Sequence, residues 1–281
     1  MTLPFPVPTL DHVVVNARDR IGDTADIFRR LGFTLTPLGY HTLGSINHLA
    51  MFGTDYLELI AVKPNDTGRP EIMGAPAGLN GLVFGTEDAD ATYEALRQNG
   101  IPIDPPQQFS RPVEAAGAIR DAVFRTTRLR ADAVSAGRLY FCQHLTREIV
   151  WRDEWRHHAN GAVGIARAVI AADNPDTLGA LFAAMFGAAS VRPADDGCSL
   201  ILGLSRFDVV TPAAVWEMFG SAAPDSRGRR DYMAALTIRT RSLGAVETAL
   251  EEGGIRGWDR IGASILVPAS EAGGATIEFS V

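Results

Sequence analysis

Four glycines close four helix-like segments, and their spacing constrains this chain more than any other feature. They lie in Arg30-Leu31-Gly32-Phe33, Gln98-Asn99-Gly100-Ile101, Met185-Phe186-Gly187-Ala188 and Gly253-Gly254-Ile255. The intervals are 68 residues from Gly32 to Gly100, 87 to Gly187 and 67 to Gly254. A helix commonly ends on a left-handed residue, which glycine adopts most cheaply. Recurrence at such a period points to repeated supersecondary units.

A β-rich run precedes each helix, at 11–16, 81–85, 166–171 and 234–239. Further β-rich runs follow. In the first unit they span 32–38, 46–52 and 55–60; in the second, 122–129 and 138–144; in the third, 199–204 and 206–210; in the fourth, 261–267 and 275–281. Segment 105–117, rich in Pro, Gln and Ser, reads as a loop excursion, 144–161 as a connection and 221–230 as a linker. The fold class expected is α+β: four βαβββ units in two halves, residues 1–150 and 160–281.

Composition narrows the function. Of 281 residues, 46% are hydrophobic and 21% charged, with a net charge of −7, which disfavours a nucleic-acid surface and suits a protein that handles small molecules. Cys142 and Cys198 are too few and too distant for a disulfide framework and read as free thiols. No apolar run approaches the roughly 20 residues that span a bilayer, and Met1-Thr2-Leu3-Pro4-Phe5-Pro6 lacks a secretory pattern, so the expected location is the cytoplasm. No phosphate-binding glycine loop follows a strand, and Ser45 lacks a nucleophile-elbow context.

Two strands carry the chemistry. His12 stands in Leu10-Asp11-His12-Val13-Val14-Val15, and Glu58 in Tyr56-Leu57-Glu58-Leu59-Ile60. A lone histidine on such a strand is often a satisfied core residue. An ionised carboxylate there needs a partner, a hydrogen bond or a metal, because burial of an isolated charge is costly. Gln143-His144 closes the last strand of the second unit, near the place that Glu58 holds in the first, although strict counting sets Phe141 opposite Glu58.

Paired βαβββ units of this kind resemble the vicinal oxygen chelate superfamily (glyoxalase, bleomycin-resistance and extradiol dioxygenase proteins), and its glyoxalase-like domain group in particular. The runs that carry the likeness are Leu10-Asp11-His12-Val13-Val14, Gly44-Ser45-Ile46-Asn47-His48-Leu49, Tyr56-Leu57-Glu58-Leu59, and Tyr140-Phe141-Cys142-Gln143-His144-Leu145-Thr146 with Trp151. The resemblance implies curved mixed sheets lining a cavity, with helices outside. It also implies a divalent metal (Fe, Mn, Ni, Co or Zn) held by His12, Glu58 and His144, a set of two imidazoles and a carboxylate that leaves room for two substrate oxygens. Glu58 is alternatively a base, because an apolar wall raises proton affinity. Asn47, His48, Asn80 and Gln143 are expected on the substrate side; Asn80 takes the place where relatives often carry another ligand. His41, His157 and His158 are weaker candidates, each equally a loop or structural histidine.

The second half reads as chemically silent. Glu278 repeats the Glu58 position, and an Arg167–Glu278 ion pair is expected in place of a metal. The implied function is a lyase, isomerase or dioxygenase acting on a small chelating substrate. The alternatives are a metal-free protein that sequesters a small molecule and a catalytically inactive scaffold in which His12 and Glu58 pair with each other. Neither nucleic acid nor membrane is an expected partner, and a homodimer is compatible with the resemblance.

Overall fold

The computed structural model describes residues 9–115 and 117–281. The secretory-signal reading concerns residues 1–6, which lie outside the described residues. The first unit comprises β1 (Leu10–Arg18), α1 (Ile21–Arg30), β2 (Gly39–Tyr40), β3 (Ser45–Met51) and β4 (Tyr56–Val62). A short helix, α2 (Pro70–Gly74), leads to β5 (Gly78–Gly85), α3 (Ala89–Gln98), β6 (Gln107–Ala115), β7 (Ala118–Arg128) and β8 (Arg138–His144). After α4 (Arg147–Val150) come β9 (Ala162–Ala171), α5 (Pro175–Phe186), β10 (Val191–Ala194), β11 (Gly197–Leu202) and β12 (Ser205–Val210). Helix α6 (Pro212–Phe219) precedes β13 (Tyr232–Thr240), α7 (Leu243–Glu252), β14 (Asp259–Ile261), β15 (Ser264–Val267) and β16 (Thr276–Ser280).

The strands form two eight-stranded sheets of matching order, β2-β3-β4-β1-β5-β8-β7-β6 and β10-β11-β12-β9-β13-β16-β15-β14. In each unit the first strand pairs in parallel with the last, and the two first strands of a half meet antiparallel at the sheet centre. The architecture is therefore the α+β arrangement of four βαβββ units in two halves. All four marker glycines are left-handed, with φ of 87°, 75°, 90° and 62°. At the first helix end, Gly32 lets Phe33 N–H return to the Phe28 carbonyl at 3.1 Å.

Three local expectations change. Segment 32–38 is not a strand; the chain leaves α1 irregularly and pairs only over Gly39–Tyr40. The supposed loop at 105–117 is largely strand β6, which pairs on one side only, with β7. Pro112 is tolerated there because an edge strand has no second neighbour to receive its missing N–H. Strand β10 was also missed, since Val-Arg-Pro-Ala carries little apolar alternation.

One apolar core runs across both sheets. Phe84 of β5 packs its ring 4.8 Å from Phe186 and 5.7 Å from Phe207 of the second half. Polar ties flank it: Arg30 Nε donates to the Gly253 carbonyl at 2.6 Å, and the Ile165 N–H donates to Asp55 Oδ1 at 2.9 Å. Among the described residues no helix is long and apolar enough to cross a membrane.

Burial pushes the Asp55 carboxyl up to about 6, against the Ile165 N–H that pulls it down. The folded chain thus holds this proton more tightly than the unfolded chain, and stability falls as pH rises from about 4 through 6. Asp55→Asn keeps an acceptor for Ile165 and loses the titration. Urea unfolding of the two proteins should move in favour of wild type by about 1 kcal/mol between pH 7 and pH 5. A pH-independent difference would show that Asp55 titrates normally.

Candidate functional site

Alternation along β1 and β4 decides which side chains face the first sheet's cavity. Val13, Val15, Leu57 and Leu59 enter the shared core, whereas Val14, Tyr56 and Ile60 join the apolar lining of the opposite face. His12 and Glu58 fall on that cavity face. The cavity is narrow, with about 30 Å³ of space for water-sized contents.

A bulge in β1 changes the local geometry. The register with β5 slips between Leu10 and His12, so Asp11 escapes strict alternation and its carboxylate reaches its neighbour's ring. Asp11 Oδ1 lies 2.6 Å from His12 Nδ1 and 3.1 Å from His144 Nε2, with both Asp11 and His12 almost wholly buried. Burial alone would raise the Asp11 carboxyl; the attraction of His144 and the hydrogen bonds of both imidazoles hold it well below the usual carboxylate range. Asp11 is thus ionised, and His12 Nδ1 must carry a proton to donate to it. His12 Nε2 faces the cavity, 3.6 Å from Glu58 Oε2 and 3.3 Å from the Tyr140 hydroxyl. Tyr56 stacks on the His12 ring, centroids 4.3 Å apart and planes 14° from parallel.

Asn47 Nδ2 donates to the other Glu58 oxygen, Oε1, at 2.7 Å. Burial would raise the Glu58 carboxyl, but attraction to His12 and His41 and the Asn47 bond bring it below its ordinary value. The expected rise in proton affinity is therefore corrected, because the wall around Glu58 is not apolar. His41 lines the same cavity, held by Ser45 Oγ at 2.8 Å, and burial lowers its imidazole to about 4, so it is neutral at physiological pH.

The remaining expected residues go elsewhere. His144 shares Asp11 with His12 instead of joining Glu58. Among the described residues, the group of three ligand-type side chains with donor atoms within 4.8 Å of one another is Asp11, Cys142 and His144. Burial raises the Cys142 thiol well above its ordinary value, so that group offers a protonated sulfur. His48 lies on β3 between cavity-facing Asn47 and Leu49, so it points away and bonds the Thr36 carbonyl at 2.7 Å. Gln143 caps α3, donating to the Glu87 carbonyl and accepting from the Ala89 N–H. Asn80 sits at a second bulge, between the Val14–Gly81 and Val15–Leu79 pairs, and accepts from Arg138 Nε at 3.1 Å. His158 bridges the Thr34 N–H and the Met51 carbonyl as a structural strap, and His157 is exposed beside Asp153.

Strand register shows what stands at each repeat of the His12–Glu58 pair. His12 is opposite Tyr56, two residues before Glu58. The matching places are Gly81 and Tyr140 in the second unit, Arg167 and Asp208 in the third, and Ala235 and Glu278 in the fourth. Tyr140 shares the cavity face with Glu58 and so answers to it, whereas Phe141 enters the shared core. The Arg167 partner is Asp208 at 2.5 Å, not Glu278, which accepts from the Thr237 hydroxyl. Asp208 also takes Ser199 and Arg206, and these donors outweigh burial to lower its carboxyl.

Asp11 and Tyr140 were missed from sequence, as were the arginines Arg69, Arg111, Arg128 and Arg138 that line the cavity. A charged residue beside His12 in an apolar strand was the available signal for Asp11. Arg111 was hidden in the segment taken for a loop.

The profile of a family described as "Glyoxalase-like domain" matches residues 10–186. A search of curated proteins finds no match. Among solved structures, a hypothetical protein from Staphylococcus aureus superposes with a TM-score of 0.66 at 14% identity, over 98% of this chain and 99% of that one. A xylose isomerase-like TIM barrel/4-hydroxyphenylpyruvate dioxygenase fusion protein gives 0.62 at 11%, over 99% of this chain and 49% of the fusion, so the chain spans about half of its length. A mutant 4-hydroxymandelate synthase from Streptomyces coelicolor gives 0.59 at 12%, over 98% and 92%. At these identities the likeness is one of fold.

The Asn47–Glu58 bond is charge-assisted, so Asn47→Ala should cost about 1–3 kcal/mol at pH 7. In a Glu58→Gln background the loss should shrink by about 1 kcal/mol. Chemical unfolding of the four proteins in this cycle measures the coupling, and strict additivity would mean that Asn47 does not support the Glu58 charge.

Proposed function

Because the chain belongs to the glyoxalase-like domain family and has the fold of the vicinal oxygen chelate superfamily, we propose that the first-sheet cavity is the active site of a metal-dependent enzyme. Its substrate is a small molecule with two neighbouring oxygens, and its reaction falls in the lyase, isomerase or dioxygenase range. The observation that carries this reading is the 3.6 Å approach of His12 Nε2 to Glu58 Oε2. With Nδ1 committed to Asp11, Nε2 is the ring nitrogen that His12 turns toward the ionised Glu58 carboxylate. An imidazole nitrogen and a carboxylate oxygen this close are a ligand pair of the kind that a divalent cation takes.

The donor chemistry fits a divalent ion of the Fe, Mn, Ni, Co or Zn kind. A ligating imidazole characteristically gives its other N–H to a carboxylate, as His12 gives Nδ1–H to Asp11. His12 and Glu58 are the two protein groups that would hold the ion. When bound, it supplies Lewis acidity to the substrate oxygens.

The surrounding residues have separate tasks. Asp11 fixes the His12 tautomer, and Tyr56 fixes the ring plane. Asn47 orients Glu58 and keeps it ionised, which suits a ligand better than a base working near neutral pH. Tyr140, kept protonated by burial, has a hydroxyl to donate to a substrate oxygen beside His12. Phe109, Phe124 and Leu49 restrict water.

The metal-free sequestering alternative draws support from the second unit, where Gly81 and Tyr140 occupy the places of His12 and Glu58 and add no strong ligand. Elemental analysis of protein purified without a metal-affinity tag separates the two readings. About one equivalent of a transition metal is expected in wild type, falling at least fivefold in His12→Ala and Glu58→Gln. No metal in wild type, even after incubation with Mn(II), Fe(II), Ni(II) and Zn(II), would leave the sequestering protein as the answer.

A further inference from the structure

The cavity has two chemically different walls. The first unit contributes His12 and Glu58; the second contributes Arg111 from β6, Arg128 from β7 and Arg138 from β8. Period-2 alternation places these arginines on the cavity face, among Phe109, Phe124, Thr126 and Tyr140 on the same strands. Arg69 also reaches the cavity, but its charge is matched by Glu71 at 2.6 Å. Among the described residues, none of the three second-unit arginines has a carboxylate within ion-pair distance. Arg128 lies over the Tyr140 ring at 5.2 Å, and Arg138 Nε bonds Asn80. Arg111 is only 4% exposed. Arg111 Nε, Arg138 Nη2 and Thr126 Oγ1 are buried without a hydrogen-bond partner.

Arginine does not discharge in proteins, so all three groups stay cationic, and burial leaves Arg111 and Arg138 short of acceptors. Three guanidiniums against the single carboxylate of Glu58 give this lining an excess of two positive charges. Guanidinium presents paired N–H donors that match carboxylate and phosphate oxygens. We propose that the second-unit wall is the recognition site for a small dianion whose charge sits on oxygens, a dicarboxylate or a phosphate monoester, and that this is the substrate class. The charged group docks on Arg111, Arg128 and Arg138, which leaves the rest of the molecule against His12 and Glu58 on the other wall. This inference rests on the reading of the cavity as a ligand site; it does not require the metal.

Calorimetric titration tests it in the full chain, both with its purified metal content and after EDTA treatment. The probes are succinate, its monomethyl ester, succinamide and inorganic phosphate. Succinate or phosphate should bind at least about tenfold tighter than the monoester, and the diamide should give no binding heat. Arg111→Met should weaken dianion binding by about tenfold or more, Arg111→Lys should recover part of it, and Glu58→Gln should leave it equal or tighter. Preference for succinate assigns a dicarboxylate, and preference for phosphate a phosphate ester. Binding of dianion and monoester within twofold in wild type, or no dianion binding with or without metal, overturns the proposal whatever the variants do. Selective dianion binding by a protein that holds no metal would keep this inference and remove the metal reading.

Discussion

A carboxylate sealed inside a sheet must gather donors, and that requirement organises the first half of this chain. Removing an ionised carboxylate from water costs several kcal/mol even after the protein relaxes. Asp11 meets the cost by taking both His12 and His144 on one oxygen. Glu58 takes Asn47 on one oxygen and faces His12 with the other. The two carboxylates therefore bracket one imidazole, and neither can be lost without leaving the other groups wrongly protonated or unpaired. The same demand orients the His12 ring, with Nδ1 toward Asp11 and Nε2 toward Glu58.

Repetition supplies the frame, and departures from repetition supply the chemistry. The parallel pairing of first and last strands recurs in all four units, so each offers the same two inward positions. Only the first fills them with groups suited to hold a cation. The second offers a glycine and a phenol, the third an arginine and an aspartate, the fourth an alanine and a glutamate bonded to Thr237. A backbone plan duplicated intact has thus been filled four different ways.

How far the sequence disclosed this depended on what each feature needs. Gly32, Gly100, Gly187 and Gly254 mark helix ends because a left-handed residue is a local backbone demand, readable without tertiary knowledge. His12 and Glu58 stood out because a polar residue in an apolar strand violates a local pattern. Asp11 was missed, and Asn80 bonds Arg138, because each sits at a bulge that breaks the alternation assigning faces, and a bulge shows itself only once a partner strand is present. Arg111 was invisible for a related reason. Edge strand β6 contains Pro112 and polar residues, so its composition matches a loop although its pairing is that of a strand.

The two halves also show why guanidinium and carboxylate together need not make a site. In the second half, Arg167 and Asp208 stand on neighbouring strands at adjacent inward positions and close on each other, with Arg206 and Ser199 completing the shell. Their charges are spent internally. In the first half, the carboxylate stands on β4 and the guanidiniums on β6, β7 and β8, with the cavity between them and no ion pair formed across it among the described residues. Separation keeps both kinds of charge available. A fold that places equivalent positions of its two units on facing walls can hold opposite charges apart as readily as it can join them, and only the first arrangement leaves valence for a ligand.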